Sequence, residues 1–372
     1  MKRICTVVGA RPQLIKAAAV SSAIAHWNET GMEPLGEEII HTGQHFDDRM
    51  SGVFFRELGI PVPVANLGIS GGTHGAMTGA MLPALEQQFA ERRPDAVLLY
   101  GDTNSTLAGA LAAAKLCIPV VHVEAGPRMF DRSHPEEINR VVVDHVADLL
   151  LAPSEVSRRN LAAEGLVRGV HVVGDVMLDA VRMHAKSAIA PAMDRPFALC
   201  TVHRPQNVDD PLRMAKLMRA LRAIPLAVLL PQHPRTLAAV KAHGLTWPTN
   251  VVVVEPLSYL ETLGALSAAT VVLSDSGGLP KEAYYLGHRS LTLSSETAWP
   301  ELQECGATRV VGCDSDAIAG SLDWACEAPV ASPNPFGDGD AGSKIVACLV
   351  AMLGGAAECG NPAVPSDGRT SS

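Results

Sequence analysis

The chain alternates short apolar runs with helical segments, and this alternation constrains its fold more than any other feature. The pattern is clearest from Val97 to Arg140, which reads strand, helix, strand, polar loop and helix. Ala96–Tyr100 is a continuous apolar run, typical of a strand covered on both faces. The alanine-rich segment Ser105–Lys115 has helical composition, and Ile118–Val123 forms the next predicted strand. This order predicts parallel strands joined by helices.

The same alternation occurs in both halves of the chain. The strands predicted in the second half are Ala198–Val202, Ala227–Leu230, Val251–Glu255, Val271–Ser274 and Ser290–Leu293. Two such runs predict an α/β protein with two Rossmann-like, doubly wound domains. We place the first domain at 1–172, the second at 173–353, and a disordered tail at 354–372, with a hinge over Val172–Ala180.

Composition excludes several classes of protein. Of the 372 residues, 47% are hydrophobic and 19% charged, which argues against a disordered scaffold. The net charge of −9 argues against nonspecific binding of nucleic acid. No apolar run is long enough to predict a membrane span. The eight cysteines show no CxxC or Cys/His clustering, so we expect reduced thiols, a cytoplasmic location and no metal site.

Three acidic residues follow predicted strands or begin a helix. Asp102 follows Ala96–Tyr100, Glu124 follows Ile118–Val123, and Glu136 lies in the first turn of the helix that Pro135 begins. Each of them alone would be read as a loop or helix-start acid. Because ligands of open parallel sheets bind at the carboxyl ends of strands, we expect all three in one crevice.

Two cations follow the first strand. Arg11 lies where the first helix begins, and Lys16 lies one turn further on. Helix N-termini favour anions, and a guanidinium is suited to binding phosphate. The alternative is that both are surface cations of an acidic protein.

A glycine-rich turn follows a strand of the second half. Ser276, Gly277 and Gly278 lie between Val271–Ser274 and a helix that carries Glu282 in its first turns. Such a turn lets a diphosphate approach the backbone, and Glu282 could accept hydrogen bonds from a ribose. A simple turn would have the same sequence.

Two histidines stand at strand ends of the second half. His203 follows Ala198–Val202, and His233 follows Ala227–Leu230. A histidine placed like His203 could donate to a leaving phosphate or move a proton, although a lone histidine is more often structural.

A series of short motifs resembles the non-hydrolysing UDP-N-acetylglucosamine 2-epimerase family. In chain order they are GARPQLIK, HTGQHFDDRM, GDTNST, VEAG, PEEINR, GDVMLDA, TVHRPQNVDDP, PLSYL and SDSGG. The segment GISGGTHGAMTG is similar to the branch that includes UDP-2,3-diacetamido-glucuronic acid 2-epimerases. The motifs extend over both predicted domains in family order.

The resemblance implies a GT-B-like fold, a UDP-sugar in the interdomain cleft, and a homodimer without cofactor. By position, the residues matching family carboxylates of proton transfer are Asp102, Glu124 and Glu136. The positions that match UDP-holding residues of the family are His203, Ser276, Gly277, Gly278 and Glu282. The resemblance also places His203 at the leaving group. Those matching further ligand contacts are Arg11, Lys16, Gln44 and His45.

The implied reaction inverts C2 of a UDP-2-acetamido sugar, with UDP expelled across C1–C2 and then added back. Such enzymes serve polysaccharide biosynthesis. Two alternatives remain open at this point: a hydrolysing enzyme that releases UDP and free sugar, and a non-catalytic protein that binds nucleotide sugars. No nucleic-acid or membrane partner is expected.

The chain departs from the family pattern mainly in its second half. Pro280 replaces a glutamine, Ala298 replaces a glutamate, and Ser294-Ser295 replace an Arg-Asp pair. We expect either that Arg289 or Arg309 compensates for the missing arginine, or that the substrate differs there.

Overall fold

Two parallel sheets organise the molecule. The structure is a computed structural model, and it describes residues 1–31, 33–44, 55, 57–328 and 334–354. Within those ranges the first sheet has seven strands in the order β3-β2-β1-β4-β5-β6-β7. They are β1 (Lys2–Val8), β2 (Leu35–His41), β3 (Ala65–Asn66), β4 (Ala96–Tyr100), β5 (Val120–Val123), β6 (Leu149–Ala152) and β7 (Val170–Val172). The helices of this half are α1 (Arg11–Glu29), α2 (His74–Arg92), α3 (Asn104–Lys115), α4 (Pro135–Val146), α5 (Glu155–Ala163) and α6 (Val176–His184), followed by a 3₁₀ turn at Ala185–Ser187.

The second sheet has six described strands in the order β10-β9-β8-β11-β12-β13. They are β8 (Phe197–Thr201), β9 (Ala227–Pro231), β10 (Val251–Val254), β11 (Val271–Ser274), β12 (Ser290–Thr292) and β13 (Thr308–Val310). The helices of this half are α7 (Pro205–Val208), α8 (Pro211–Arg222), α9 (Pro234–Ala242), α10 (Tyr259–Ala268), α11 (Leu279–Tyr285), α12 (Pro300–Glu304), α13 (Ser315–Ala319), α14 (Leu322–Cys326) and α15 (Ala341–Leu353).

All strand pairs in both sheets are parallel. Each sheet has its first strand near the middle, and the chain reverses direction of winding there, as in doubly wound folds. The expected class, two Rossmann-like α/β domains of GT-B type, is confirmed. Within the described ranges, no helix has the length and apolar character needed to cross a membrane.

The unit β4-α3-β5 shows why these residues fold as they do. Every residue of β4 is buried, as expected for a central parallel strand. Thr103 caps α3 by accepting a hydrogen bond from the Thr106 amide at 3.2 Å. Gly109 lets α3 lie close to the sheet, because a Cβ there would come within 2.7 Å of Leu99 Cδ2. The helix therefore packs tightly over β4 and presents its N-terminus at the strand ends.

The last described helix returns to the first half of the chain. Ile345 and Leu349 of α15 are buried in one apolar cluster with Leu14 of α1 and Val181 of α6. The two sheets divide between β7 and β8, but α6 and α15 pack with the first sheet, so the boundary at residue 172 remains a proposal. The expected tail, 354–372, lies outside the described residues apart from Gly354.

Two predicted segments differ from the structure. The hinge expected over Val172–Ala180 is largely the start of α6, since Asp175 caps that helix by accepting from the Met177 amide at 3.0 Å. The helix that carries Glu136 ends at Val146, short of the predicted end at Leu150, and the short strand predicted at Leu149–Ala152 is present and buried.

Candidate active site

Two of the predicted acids lie at the ends of neighbouring strands. Tyr100 of β4 pairs with Val123 of β5, and the Gly101 amide donates to the Val123 carbonyl at 3.0 Å. Asp102 and Glu124 follow these positions directly. Gly101 has a φ of 62°, and a Cβ there would lie 3.4 Å from Glu124 Oε1. Parallel pairing of β4 and β5 therefore brings Asp102 and Glu124 to one edge of the sheet.

Glu124 lies between two lysines. Its Oε1 is 2.6 Å from Lys16 Nζ, and its Oε2 is 3.0 Å from Lys281 Nζ. Burial alone would raise the pKa of Glu124, but the two ammonium charges and their hydrogen bonds outweigh it and hold the pKa at about 2. The residue also has a φ of 69°, an uncommon left-handed conformation for a glutamate. Such strain is typical of functional sites.

Helix α4 connects Asp102 to the loop after Glu124. Arg140 donates to the Asp102 carboxylate and, at 3.0 Å, to Glu137 Oε2. Glu137 is buried and accepts from the backbone amides of Met129 and Phe130, at 3.0 and 2.9 Å. Glu137 therefore holds the loop in place.

Glu136, the predicted site residue, is exposed in the first turn of α4. It lies four residues before Arg140, so the two side chains share a face of the helix. The face that reaches Asp102 therefore also carries Glu136.

A buried histidine supports both strand ends. His122 Nδ1 is 2.6 Å from an Asp144 carboxylate oxygen, and its Nε2 is 2.8 Å from the Gly101 carbonyl oxygen. The ring therefore bridges the Asp144 carboxylate and the backbone at the end of β4. Arg128 also pairs with Asp144, at 2.7 Å. This network was not predicted from the sequence, where a histidine inside a strand reads as core.

Arg11 reaches from α1 into the second half of the chain. Its guanidinium donates to the Leu257 carbonyl oxygen at 2.9 Å and to Thr262 Oγ1 at 2.8 Å. The two amides just before α1, those of Gly9 and Ala10, donate to the Gln13 side chain at 2.9 and 3.0 Å. Arg11 is thus an interdomain contact as well as a candidate for ligand binding.

Of the two ligand contacts predicted after β2, Gln44 and His45, the structure describes only Gln44. Gln44 Oε1 accepts from the Ser105 hydroxyl at 2.7 Å, at the start of α3, so Gln44 lies at the same strand-end edge as Asp102. His45 lies outside the described residues.

The second half contributes a turn organised by Asp275. This buried carboxylate accepts from the backbone amides of His203 and Arg204, at 3.0 and 2.9 Å, and from Asn207 Nδ2 at 3.0 Å. His203 Nδ1 lies 3.2 Å from Asp275 Oδ1, and its ring lies 5.2 Å from that of His233. Asp275 therefore orients His203, a role that the sequence analysis missed.

The predicted diphosphate turn follows at once. The Ser276 hydroxyl accepts from the Gly278 amide at 3.3 Å, and Gly277 is exposed. Glu282 lies buried on α11, and this burial raises its pKa to about 7, although the charges of Arg11 and Lys281 act in the opposite direction. The turn is open to solvent, whereas Glu282 faces the interior.

Lys281 is the main residue that sequence reasoning missed. It is 1% exposed, and its Nζ lies 2.7 Å from Asp175 Oδ2 and 3.6 Å from the ring centroid of Trp299. Tyr285 donates to the same Asp175 oxygen at 2.6 Å. The signal was a lysine among apolar neighbours in the motif LPKEAYY, because a buried lysine needs anionic partners.

Both arginines expected to compensate for the missing one lie at Trp324. Arg289 donates to Glu327 at 2.6 Å and lies over the ring of Trp324 at 4.8 Å, and Arg309 stacks on the same ring at 4.2 Å. Ser294 itself donates to the backbone carbonyl of Glu296. Compensation by either arginine therefore remains a prediction.

Comparison with known proteins decides the family. Residues 30–350 match a family model described as UDP-N-acetylglucosamine 2-epimerase. The chain belongs to the UDP-N-acetylglucosamine 2-epimerase family. The resemblance inferred from its motifs is therefore confirmed.

Curated relatives of this epimerase-family chain match it over nearly its full length. A UDP-2,3-diacetamido-2,3-dideoxy-D-glucuronate 2-epimerase from Pseudomonas aeruginosa is 44% identical, covering 94% of this chain and 100% of the relative. A UDP-N-acetylglucosamine 2-epimerase from Methanocaldococcus jannaschii is 36% identical, covering 93% and 98%.

A solved structure agrees with the family assignment. The M. jannaschii UDP-GlcNAc 2-epimerase in complex with UDP-GlcNAc and UDP superposes with a TM-score of 0.86 at 36% identity. The match covers 94% of this chain and 99% of the chain in that structure. The two-domain arrangement of this epimerase-family chain is therefore that of an enzyme crystallised with nucleotide sugar.

Proposed function

We propose that the protein reversibly inverts C2 of a UDP-2-acetamido sugar by eliminating UDP and adding it back. The observation that carries this proposal is the pair Asp102 and Glu124 at adjacent strand ends, of which Glu124 contacts Lys281 on the helix that begins at the Ser276–Gly278 turn. Acid-base groups of one domain thus meet a nucleotide-binding turn of the other.

The chemistry requires groups of this kind. The C2 hydrogen has no adjacent carbonyl group, so direct removal is very unfavourable. In the elimination, a base takes the C2 proton, a double bond forms between C1 and C2, and the C1–O bond breaks to release UDP. In the return step a proton enters C2 from the other face, and UDP attacks C1. No redox step is involved.

We assign proton transfer to Asp102, Glu124 and Glu136. The two lysines keep Glu124 in the carboxylate form, which is the form that can accept the C2 proton and the one that stabilises positive charge at C1 as UDP leaves. Asp102 and Glu136 are the candidates for delivering a proton on the opposite face. His203, oriented by Asp275, is assigned to the departing diphosphate.

The remaining assigned residues hold the substrate. We propose that these are Arg11, Lys16, Gln44, His45, Ser276, Gly277, Gly278 and Glu282. The cleft between the sheets would exclude water from the glycal intermediate. Hydrolysis of that intermediate is the alternative outcome, and it would release UDP and free sugar.

Identity favours a particular substrate branch. The 44% match to a UDP-2,3-diacetamido-2,3-dideoxy-D-glucuronate 2-epimerase supports a 2,3-diacetamido uronate as the natural sugar. We further propose a homodimer that acts in the cytoplasm in polysaccharide biosynthesis. The described cysteines are all free thiols, in keeping with that compartment.

The experiment that tests the function is incubation with each candidate UDP-sugar in deuterated water. Proton NMR at C2 should show epimer formation and deuterium entering at that carbon. Epimer that retains its original hydrogen would contradict the elimination route. Accumulation of free sugar and UDP in place of the epimer would identify the hydrolytic alternative.

A further inference from the structure

Lys281 joins three parts of the molecule in one buried contact. It belongs to α11, which begins at the proposed diphosphate turn. Its Nζ contacts Glu124, at the end of β5, at 3.0 Å and Asp175, between β7 and α6, at 2.7 Å. The ring of Trp299 covers the ammonium group at 3.6 Å. A lysine on a helix of the second half thus contacts the proposed active-site acid of the first half.

The cluster is neutral as a whole. Lys16 and Lys281 supply two positive charges, and Glu124 and Asp175 supply two negative charges, each with less than one tenth of its surface exposed. Burial would lower the pKa of Lys281, but the carboxylates of Asp175 and Glu124 outweigh it and raise the pKa, so the ammonium form persists. Removing Lys281 would leave two anions with one lysine.

Other charged or titratable groups also face Glu124. Besides Lys16 of α1 and Lys281 of α11, these are Arg140 of α4 and the Tyr285 hydroxyl of α11. Arg140 is already paired with Asp102 and Glu137. Lys281 is therefore the second-half cation in contact with the Glu124 carboxylate.

We propose that Lys281 is a positioning residue that keeps Glu124 ionised and oriented when the two domains meet, thereby coupling the nucleotide-binding helix to proton transfer. This rests on the proposed epimerase function. Lys281 does not touch the reacting atoms; it acts through Glu124. Its contact with Glu124 joins a helix of the second half to a strand end of the first.

The decisive variant is Lys281→Met, which keeps the length of the side chain and removes its charge. At saturating UDP-sugar we expect kcat to fall on the order of a hundredfold, because Glu124 loses its orientation. The acidic limb of the kcat–pH profile should move to higher pH by about 1–3 units, because the variant lacks the positive charge that lowers the pKa of Glu124. UDP affinity should change far less than kcat.

Two further variants separate this role from a structural one. Lys281→Arg keeps the charge and should leave the acidic limb at its parental position. Lys281→Met combined with Asp175→Asn removes the anion left unpaired, so the melting temperature should recover while the limb stays shifted. Recovery of both kcat and the limb in the double variant would show that Lys281 only balances Asp175, and would overturn the proposal.

The control is Lys216→Met, which breaks an exposed ion pair with Asp314 at 3.0 Å and should behave as the parent does. The parent protein is measured first by C2 deuterium exchange. If the parent exchanges no deuterium with any UDP-sugar, the proposed function fails. If it does, and Lys281→Met keeps the parental pH profile, only the role of Lys281 fails.

Discussion

Arg11 of the first helix donates to the backbone carbonyl oxygen of Leu257 at 2.9 Å, across the two halves of the chain. The same guanidinium reaches Thr262 at 2.8 Å, at the start of α10. A residue predicted to bind phosphate thus also ties the sheets together. The two roles are compatible, because domain closure brings ligand groups from both halves into one cleft.

Arg11→Met should weaken UDP binding and loosen the ligand-free cleft. Hydrogen bonds from a charged group are typically worth about 1.5–3 kcal/mol net, so UDP affinity should fall roughly ten- to a hundredfold. Calorimetry gives the affinity, and small-angle scattering gives the separation of the domains. Arg3→Met, at an exposed site beside Arg93, is the control. Unchanged affinity would remove Arg11 from the ligand contacts.

Glu136→Gln should separate turnover from stability. Glu136 is exposed, so its substitution should change the free energy of unfolding by about 0.5 kcal/mol or less. Turnover should drop by about 10²–10⁴ if it transfers a proton. Its neighbour is the matched control: Glu137→Gln weakens contacts to Met129, Phe130 and Arg140, so it should lower the melting temperature. Full turnover in Glu136→Gln would end its assignment.

Asp102→Asn and Glu124→Gln should also lower kcat far more than UDP affinity. They should differ in stability. Glu124→Gln leaves Lys16 and Lys281 with one anion fewer in a buried cluster, whereas Asp102 is partly exposed. Chemical denaturation should therefore show the larger loss for Glu124→Gln. Parental turnover in both variants would refute the assignment of the carboxylates.

His203→Ala should weaken both UDP affinity and turnover, because His203 stands at the proposed leaving group. His233 provides the comparison, since its ring lies 5.2 Å away and its Nδ1 caps α9 by accepting from the Arg235 amide. His233→Asn keeps a capping acceptor and should have the smaller effect. Equal effects of the two substitutions would mean that His203 has no special place at the diphosphate.

The pKa of Glu282, raised by burial from 4.5 to about 7, predicts a pH-dependent stability. The folded state then holds this proton more tightly than the unfolded state, so the contribution is present below pH 4.5 and is lost as pH rises through 7. Relative to Glu282→Gln, the parent should lose about 2 kcal/mol of unfolding free energy between pH 5 and 8.

Urea denaturation at several pH values measures this difference. Glu304→Gln, at an exposed position, is the control. A parent and Glu282→Gln with parallel stability profiles would place the pKa of Glu282 near its ordinary value.

Ser294→Arg tests the substrate branch. Arg289 and Arg309 both lie over the ring of Trp324. If the native sugar carries a different group at this side, the variant should gain activity on UDP-N-acetylglucosamine and lose it on the native substrate. A gain of activity on UDP-N-acetylglucosamine without a loss on the native substrate would indicate that the parent merely lacks the contact that the arginine makes. Ser295→Arg is the control, and unchanged kinetics with every UDP-sugar would show that Ser294 does not face the cleft.

The sequence by itself determined the architecture and the positions of the strand-end acids. Continuous apolar runs such as Ala96–Tyr100 predict buried parallel strands, and parallel pairing brings Asp102 and Glu124 to one edge. These are local patterns, so they can be read without the fold. Short edge strands such as Ala65–Asn66 were missed, because two residues carry no periodic signal.

Only the tertiary structure decided which charges meet. Lys281 and Glu124 are 157 positions apart, and Arg11 and Leu257 are 246 apart, so no local pattern relates them. Their contact depends on how the two halves of the chain pack against each other. The ionisation of Glu124 follows from that docking, because burial and two lysine charges act on it in opposite directions and only the folded geometry sets their balance.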